Sequence, residues 1–265
     1  MSLQSKPNIV FIGAGNLATN LAIALFKADY KILQVYSRSQ ESAVTLSSKV
    51  NSTFTTSLKE IIQSADLYII SIPDKAVKKV VEQMPLYKGI VVHTSGSTDV
   101  STLSKFGTNG YGVFYPFQTF SKNRIVPFEN IPICIEANNN NTYDKLLQIA
   151  LSISKLTIQM DSNARSWLHL TGVFTNNFTN HLLSLSQQIS QGKGFDFNLL
   201  KPLAIETIQK AFDINPINAQ TGPAIRFDDD TIKLHIEKLK GYSPELADIY
   251  KALTLSIQSS IHKED

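Results

Sequence analysis

The stretch NIVFIGAGNLATNLAIALF, residues 8–26, decides the fold of this chain. Its first part, residues 8–12, is a short apolar run rich in β-branched residues, which is typical of a strand buried on both faces. Residues 13–18, GAGNLA, follow at once and fit the pattern G-x-G-x-x-G/A with alanine in the third place. From Leu17 onward the apolar residues recur at helical spacing. The stretch therefore predicts a buried strand that turns through two glycines into a helix.

The small residues of this turn each have a task when a dinucleotide is bound. Gly13 allows the tight turn, Gly15 lets the backbone approach a pyrophosphate, and Ala18 lets the helix pack closely on the strand. The helix start at Asn16 and Leu17 offers free N–H groups and the positive end of the helix dipole to a phosphate. A purely structural turn is the alternative. The position of the motif between a strand and a helix favours nucleotide binding.

The composition limits the classes of function. A chain of 265 residues with 43% hydrophobic residues can form one large domain or two ordinary ones. The net charge is +3 and the 25 basic residues are scattered, so we expect no nucleic-acid partner. The single cysteine, Cys134, excludes an internal disulfide and suits a reducing compartment. The N-terminal residues lack a signal-like apolar region and no run approaches the ~18 apolar residues of a membrane span. We therefore expect a cytoplasmic protein without a membrane partner.

The order of predicted elements gives two domains. Strand-like and helix-like segments alternate through the first part of the chain, including a short helix predicted over 58–65. This alternation predicts an α/β fold in which a doubly wound Rossmann domain spans 1–160. From 161 to 265 the pattern is helical only, so we expect an all-helical C-terminal domain. It begins with a long helix over 162–191, of the kind that packs against a partner domain or another chain.

The residues after the second predicted strand bear on the choice of nucleotide. An NAD site usually has an acidic residue there to hold the ribose 2′-OH, but this chain has Ser37, Arg38 and Ser39. A guanidinium between two hydroxyls suits a 2′-phosphate instead. The alternative for Arg38 is a solvated loop charge. The absence of a carboxylate before Glu41 favours NADP over NAD.

Two further polar turns follow buried strands. Residues 71–74, SIPD, and residues 93–97, HTSGS, both come directly after predicted strands. Ligands of doubly wound sheets lie outside the carboxyl ends of the strands. We therefore expect Ile72, Pro73 and Ser95 to contact the cofactor near its nicotinamide end, although either turn could be only a polar turn.

Six stretches together resemble a known family. They are, in chain order, GAGNLATNLA, ISIPDKAV, HTSGS, GVFYPFQTF, HLTGVFTNNF and TGPAIRFDDDTIKLHIEKL. The set resembles Rossmann-like NADP oxidoreductases with a helical C-terminal domain of uncharacterised function. That family is similar in plan to pyrroline-5-carboxylate reductase and the β-hydroxyacid dehydrogenases, including the 6-phosphogluconate-dehydrogenase-like arrangement of domains. The resemblance implies a homodimer in which the helical domains pack together, with an active site between the Rossmann domain and the long helix.

The resemblance also implies candidate catalytic residues. In β-hydroxyacid dehydrogenases the long helix carries a catalytic lysine and, shortly after it, an asparagine; the matching stretch here has His169 and Asn177, with no lysine. His169 could donate a proton near neutral pH, or it could be a structural histidine of a long helix. Helical spacing places Asn176 and Asn180 near the face of His169 and Asn177 further round. The choice between Asn176 and Asn177 is therefore open. Tyr115 stands where related sequences often carry histidine, and its ordinary pKa near ~10 makes it a different acid.

The remaining candidates lie in the C-terminal part. Arg226, in the TGPAIR stretch, could bind a substrate carboxylate in bidentate fashion or pair structurally with an aspartate at 228–230. His235 is more typical of a structural histidine than of a catalytic one. His181 and His262 are expected to be structural only.

These observations predict an NADP-dependent oxidoreductase that transfers hydride to or from a small polar carbonyl or imine. The five histidines and one cysteine show no metal-ligand spacing, so no metal is expected. A non-catalytic NADP-binding redox sensor or interaction module is the alternative, because the lysine is missing and Tyr115 replaces histidine. A nucleoside-sugar or methyl-transfer Rossmann enzyme suits the helical second domain less well.

Overall fold

The computed structural model describes residues 6–261. His262 lies outside the described residues. The chain divides between Asn177 and Phe178 into two compact units. The domain boundary expected at 160/161 stays a prediction.

The first unit is built on one eight-stranded sheet. Its strands are β1 (Ile9–Ile12), β2 (Ile32–Tyr36), β3 (Thr53–Thr55), β4 (Leu67–Ile70), β5 (Ile90–His93), β6 (Tyr111–Pro116), β7 (Ile133–Ala137) and β8 (Thr157–Gln159). The helices between them are α1 (Asn16–Lys27), α2 (Gln40–Lys49), α3 (Asp74–Gln83) and α4 (Asn140–Leu151).

The strand order is β3-β2-β1-β4-β5-β6-β7-β8, and every pair is parallel except β6 with β7. The first six strands form the doubly wound Rossmann arrangement, which confirms the predicted fold. The reversal at β7 means that the chain returns to the sheet edge through a long loop, residues 117–132.

The opening strand explains why the apolar run is continuous. Ile9 and Phe11 pack into the core on one face of the sheet, whereas Val10 and Ile12 pack into the core on the other. All four side chains are fully buried. Since alternate side chains of a strand point to opposite faces, only a strand covered by helices on both sides needs four apolar residues in a row.

The helix expected over 58–65 is wrong. Only a 3₁₀ turn, Leu58–Glu60, forms there. Side chains satisfy the backbone of the rest: Gln34 donates to the Glu60 carbonyl and accepts from the Ile62 N–H. Tyr68 donates to the Ile62 carbonyl and accepts from the N–H of Ala65. These tertiary bonds replace the intrahelical ones that local propensity favours.

The long helix exists but is not uniform. It starts as α5 (Ser162–Gly172), where the Asp161 carboxylate accepts from the N–H of Ala164. A π-helical segment, Val173–Phe178, follows, and then α6 (Thr179–Gly192). A π-segment within a helix changes the angular spacing of side chains and often marks a functional position.

The second unit is helical, as predicted. Besides α6 it contains a 3₁₀ turn (Phe197–Leu200), α7 (Lys201–Ile214), α8 (Pro216–Ala219), α9 (Asp229–Lys240) and α10 (Pro244–Ile261). His235 on α9 and Tyr250 on α10 are joined by a 3.0 Å hydrogen bond between Nδ1 and the hydroxyl, which fits a structural histidine. His181 is exposed on α6. Within residues 6–261, no helix has the length and apolarity that crossing a membrane requires.

Candidate functional site

A cavity of about 510 Å³ opens at the carboxyl ends of β1, β2 and β4. Its lining includes residues 13–15 after β1, residues 36–38 at the end of β2, and residues 71–73 after β4. This is the edge of a doubly wound sheet where ligands bind. We call it the cofactor cavity.

The two glycines of the first turn differ in what surrounds them. Gly13 has φ +125°, and its N–H donates to the Tyr36 carbonyl at 2.8 Å. A Cβ at Gly13 would lie 2.0 Å from the Ser71 carbonyl oxygen, so no side chain fits. A Cβ at Gly15 would meet no described atom within 4 Å. Gly13 therefore lets the turn after β1 approach the backbone at the end of β4, whereas Gly15 faces open space.

The N-terminus of α1 lacks the cap that several other helices have. Gly15 is its N-cap, and no side chain of the described residues accepts from its first turn. By contrast, Ser39, Asn139 and Asp161 cap α2, α4 and α5 with their own oxygens. The first N–H groups of α1 therefore lack a side-chain acceptor and can bind a phosphate.

The charged residues in the lining of the cofactor cavity are all basic. They are Arg38, Lys79 on α3 and Lys122 from the loop between β6 and β7, and the lining contains no aspartate or glutamate. The Lys122 ammonium donates to the Ser42 hydroxyl at 3.2 Å. Three cations in a cavity without a carboxylate fit an anionic ligand with more than one phosphate.

Of the ten residues predicted to contact the cofactor, six line this cavity: Gly13, Gly15, Ser37, Arg38, Ile72 and Pro73. The other four lie outside the lining. Asn16 begins α1, Leu17 packs against the core, and the Ser39 hydroxyl accepts from the N–H of Ser42. The Ser95 hydroxyl accepts from the backbone N–H groups of residues 97 and 98, which shapes the turn after β5.

A second cavity, of about 350 Å³, lies between the end of β6 and the beginning of the long helix. We call it the substrate-side cavity, after the prediction that the substrate binds beside the long helix. Tyr115 and His169 both line it, and the Tyr115 hydroxyl lies 2.9 Å from His169 Nδ1. Burial raises the pKa of Tyr115 to about 12, so the phenol keeps its proton at neutral pH. This contact occupies Nδ1 and leaves Nε2 of His169 for another partner.

Two glycines allow α5 to pack closely against the turn after β5 and against the end of β6. A Cβ at Gly96 would lie 2.6 Å from His169 Nδ1, so the turn after β5 packs directly on the imidazole. A Cβ at Gly172 would lie 2.6 Å from a ring carbon of Phe117. The sequence motif HTSGS points to this turn, but it does not show that Gly96 touches the histidine.

Arg165 is a residue that the sequence analysis missed. It is fully buried one helical turn before His169. Its guanidinium donates to the carbonyls of Ser95 at 3.2 Å and Thr98 at 2.6 Å, and forms an ion pair with Glu136. Arg165 thus fixes both ends of the turn that packs on His169. An arginine one turn before a candidate histidine was the only available signal.

The π-segment brings both candidate asparagines to the substrate-side cavity. Asn176 and Asn177 each line it, and Asn176 Nδ2 lies 3.3 Å from Asn177 Oδ1. The expected spacing of about 100° per residue assumed a regular α-helix. Because the segment is π-helical, that spacing does not separate the two residues.

His93 closes β5 beside these groups. It is fully buried, and its Nδ1 accepts from the Ser95 N–H at 3.2 Å. Burial, together with the positive charge of Arg165, lowers the pKa of His93 to about 4. It is therefore neutral at physiological pH and shapes the turn.

Arg226 belongs to the second unit. The Asp228 carboxylate caps α9 through Thr231, whose hydrogen bonds hold the pKa of Asp228 below its usual range, with a smaller contribution from Arg226. No ion pair in residues 6–261 involves Arg226. The described residues also contain no group of three or more histidine, cysteine or acidic side chains placed to hold a metal.

Comparison with known proteins identifies the class. Residues 8–95 match the family model "NADP oxidoreductase coenzyme F420-dependent", and residues 131–257 match a domain of unknown function, DUF2520. A crystal structure from Bacteroides fragilis, named provisionally as an NADP oxidoreductase, is 41% identical. The match covers 96% of this chain and 98% of that one, with a TM-score of 0.89. The chain therefore belongs to this family of NADP oxidoreductases, as the resemblance implied, and NADP is the family's cofactor.

More distant matches are two solved structures with the same fold and one protein matched by sequence. A pyrroline-5-carboxylate reductase from Coxiella burnetii is 16% identical with a TM-score of 0.57, covering 98% of each chain. An imine reductase from Myxococcus stipitatus in complex with NADP⁺ is 13% identical with a TM-score of 0.62, covering 97% and 93%. A glycerol-3-phosphate dehydrogenase (NAD(P)⁺) of Legionella pneumophila is 25% identical over 216 residues, 74% of this chain. The match spans only 63% of the length of that curated relative.

Proposed function

We propose that this protein transfers hydride between NADP(H) and a small polar carbonyl or imine bound in the substrate-side cavity. The observation that carries the proposal is the pair formed by Tyr115 and His169, 2.9 Å apart in a cavity that also contains Asn176 and Asn177. A non-catalytic sensor has no need for hydrogen-bonding groups at this place. The polar lining therefore supports catalysis over the sensor alternative.

The residues of the cofactor cavity fit NADP(H). The open space at Gly15 and the uncapped start of α1 suit a pyrophosphate. Arg38 at the end of β2 suits a 2′-phosphate. When bound, the nicotinamide supplies or accepts the hydride. The protein's part is to orient it and to handle the proton.

His169 is the proposed proton donor. In the donating form both ring nitrogens of His169 carry a proton, so Nδ1–H donates to the Tyr115 oxygen and Nε2–H faces the substrate. Delivery of the Nε2 proton to the carbonyl oxygen or imine nitrogen neutralises the charge that develops there and leaves a neutral imidazole. Asn177, with Asn176 beside it, is proposed to hold the same substrate atom or a neighbouring polar group by hydrogen bonds. Either amide can make this contact, because both line the cavity.

The helical unit is proposed to form a homodimer. The apolar side chains of α7 are unusually exposed in the single chain, with Leu203 at 65% and Phe212 at 80%. Several large, exposed apolar side chains on one helix suit an interface with a second copy of the chain. Arg226 is proposed to bind a carboxylate of the substrate, and the setting is proposed to be the cytoplasm.

The test has two stages. Purified protein is titrated with NADPH and NADH by nicotinamide fluorescence, and then carbonyl and imine substrates are screened for turnover. We expect tighter binding of NADPH, and turnover that His169→Ala lowers by about 10²-fold or more while NADPH binding is kept. The exposed His181→Ala is the matched control and should behave as the wild type. If the protein binds neither NADPH nor NADH, the proposal is wrong. Full turnover in His169→Ala would show that His169 is not the proton donor.

A further inference from the structure

Lys122 reaches the cofactor cavity from a distant part of the chain. It lies in the loop between β6 and β7, which begins beside the substrate-side cavity at Phe117. Its ammonium is 3.2 Å from the Ser42 hydroxyl, in the first turn of α2. Lys122 is half-buried, whereas Arg124, two residues later, is exposed and does not line the cavity.

The turn that carries Lys122 is fixed by a buried polar side chain. Asn20 on α1 is fully buried; its amide nitrogen donates to the Ser121 carbonyl at 3.0 Å and its oxygen accepts from the Val126 N–H at 3.1 Å. The same amide nitrogen also donates to the Asn16 carbonyl at 2.9 Å. Ser121 and Arg124 close the turn with a backbone bridge. A buried amide with three satisfied hydrogen bonds holds a turn in one position.

The contact with Ser42 places the Lys122 ammonium within the cavity. Ser42 belongs to the helix that follows Arg38 directly, on the side of the cavity formed by β2 and α2. The pyrophosphate position proposed above is at Gly15 and the start of α1 instead. Lysine is a strong phosphate ligand because its ammonium has three donors, of which Ser42 uses one.

We propose that Lys122 is the second cationic ligand of the 2′-phosphate of NADP(H), acting with Arg38 as a residue that determines nucleotide specificity. The inference rests on the proposed cofactor function and deepens it. Arg38, the basic residue after β2, is then one of two cationic ligands of the 2′-phosphate. The second ligand, Lys122, belongs to the loop between β6 and β7, which also contributes residues to the substrate-side cavity.

The experiment compares Lys122→Ala with Arg124→Ala. Dissociation constants for NADPH and NADH are measured by calorimetry at fixed ionic strength, and adenosine 2′-monophosphate and adenosine 5′-monophosphate serve as competitors. We expect Lys122→Ala to weaken NADPH by about tenfold or more, the loss of one charge-assisted hydrogen bond, while NADH changes less than about twofold. The variant should also lose most of the advantage of the 2′- over the 5′-monophosphate. Arg124→Ala removes a charge from the same turn and should change neither affinity by more than about twofold.

Each other result has a distinct meaning. Equal weakening of NADPH and NADH would assign Lys122 to the pyrophosphate or to the fold, and would overturn the inference. An unchanged NADPH affinity would overturn it as well, while a wild-type preference for NADPH would leave the proposed function standing. Wild-type protein that binds neither nucleotide would overturn both.

Discussion

The two cavities of the first unit are built in different ways. The cofactor cavity is formed mainly by short turns that follow neighbouring parallel strands, and its shape depends on backbone at Gly13 and Gly15. In the substrate-side cavity the central contact joins Tyr115 to His169, 54 positions apart, and the elements carrying them are held by side chains. The first cavity depends on local backbone geometry, whereas the second depends on tertiary packing. Substitutions should therefore damage the two by different routes.

The largest effect should come from the ion pair between fully buried Arg165 and partly buried Glu136. Arg165→Met leaves the Glu136 carboxylate without its cation and frees the carbonyls of Ser95 and Thr98. We expect a loss of about 3 kcal/mol or more in the free energy of unfolding, measured in urea, because one partner of a buried pair remains. The matched control is Lys155→Met, which breaks the exposed pair with Glu129 and should cost less than about 1 kcal/mol. Equal costs would mean that the cavity does not depend on the buried pair.

The glycine turn offers a second comparison within the cofactor cavity. Gly13→Ala forces a side chain into left-handed backbone and against the Ser71 carbonyl, so we expect about 2 kcal/mol or more of destabilisation. Gly15→Ala meets no described atom within 4 Å and should leave the unfolding free energy within about 0.5 kcal/mol.

The affinity for NADPH separates the two glycines further. Gly15→Ala fills the space proposed for the pyrophosphate, so calorimetry should show weaker NADPH binding by a folded protein. If Gly15→Ala binds NADPH like the wild type, the pyrophosphate does not approach the turn there.

The difference between the cavities also explains what the sequence could predict. The strand, the turn and the helix of residues 8–26 are adjacent in the chain, so their pattern predicted the fold and the position of the cofactor cavity. The role of Arg38 could be predicted for the same reason, since this residue comes soon after β2. The roles of Lys122 and Arg165 could not be predicted, because they contact residues 80 and 29 positions away in the chain.

The local sequence pattern gave wrong predictions where tertiary contacts determine the backbone conformation. Residues 58–65 have the spacing of a helix, but Gln34 and Tyr68 satisfy that backbone from outside the segment. The long helix was expected to be regular, and the π-segment Val173–Phe178 changed the spacing on which the choice between asparagines depended. Neither outcome follows from the periodicity of the residues concerned.

Protonation of His93 should change the stability only at low pH, and this change tests the turn after β5. Its pKa is about 4 in the folded protein and about 6.5 when unfolded, so between these values the unfolded chain binds more protons. The stability that neutral His93 contributes is therefore complete above about pH 6.5 and is lost as the pH falls toward 4. Between pH 7.5 and pH 5 we expect a loss of about 2 kcal/mol from this group alone, read from urea unfolding at both pH values. His93→Asn keeps an acceptor for the Ser95 N–H but does not titrate, so its stability should depend less on pH by that amount. An identical pH dependence in wild type and variant would mean that water reaches the imidazole, and that the turn between the cavities is looser than its hydrogen bonds indicate.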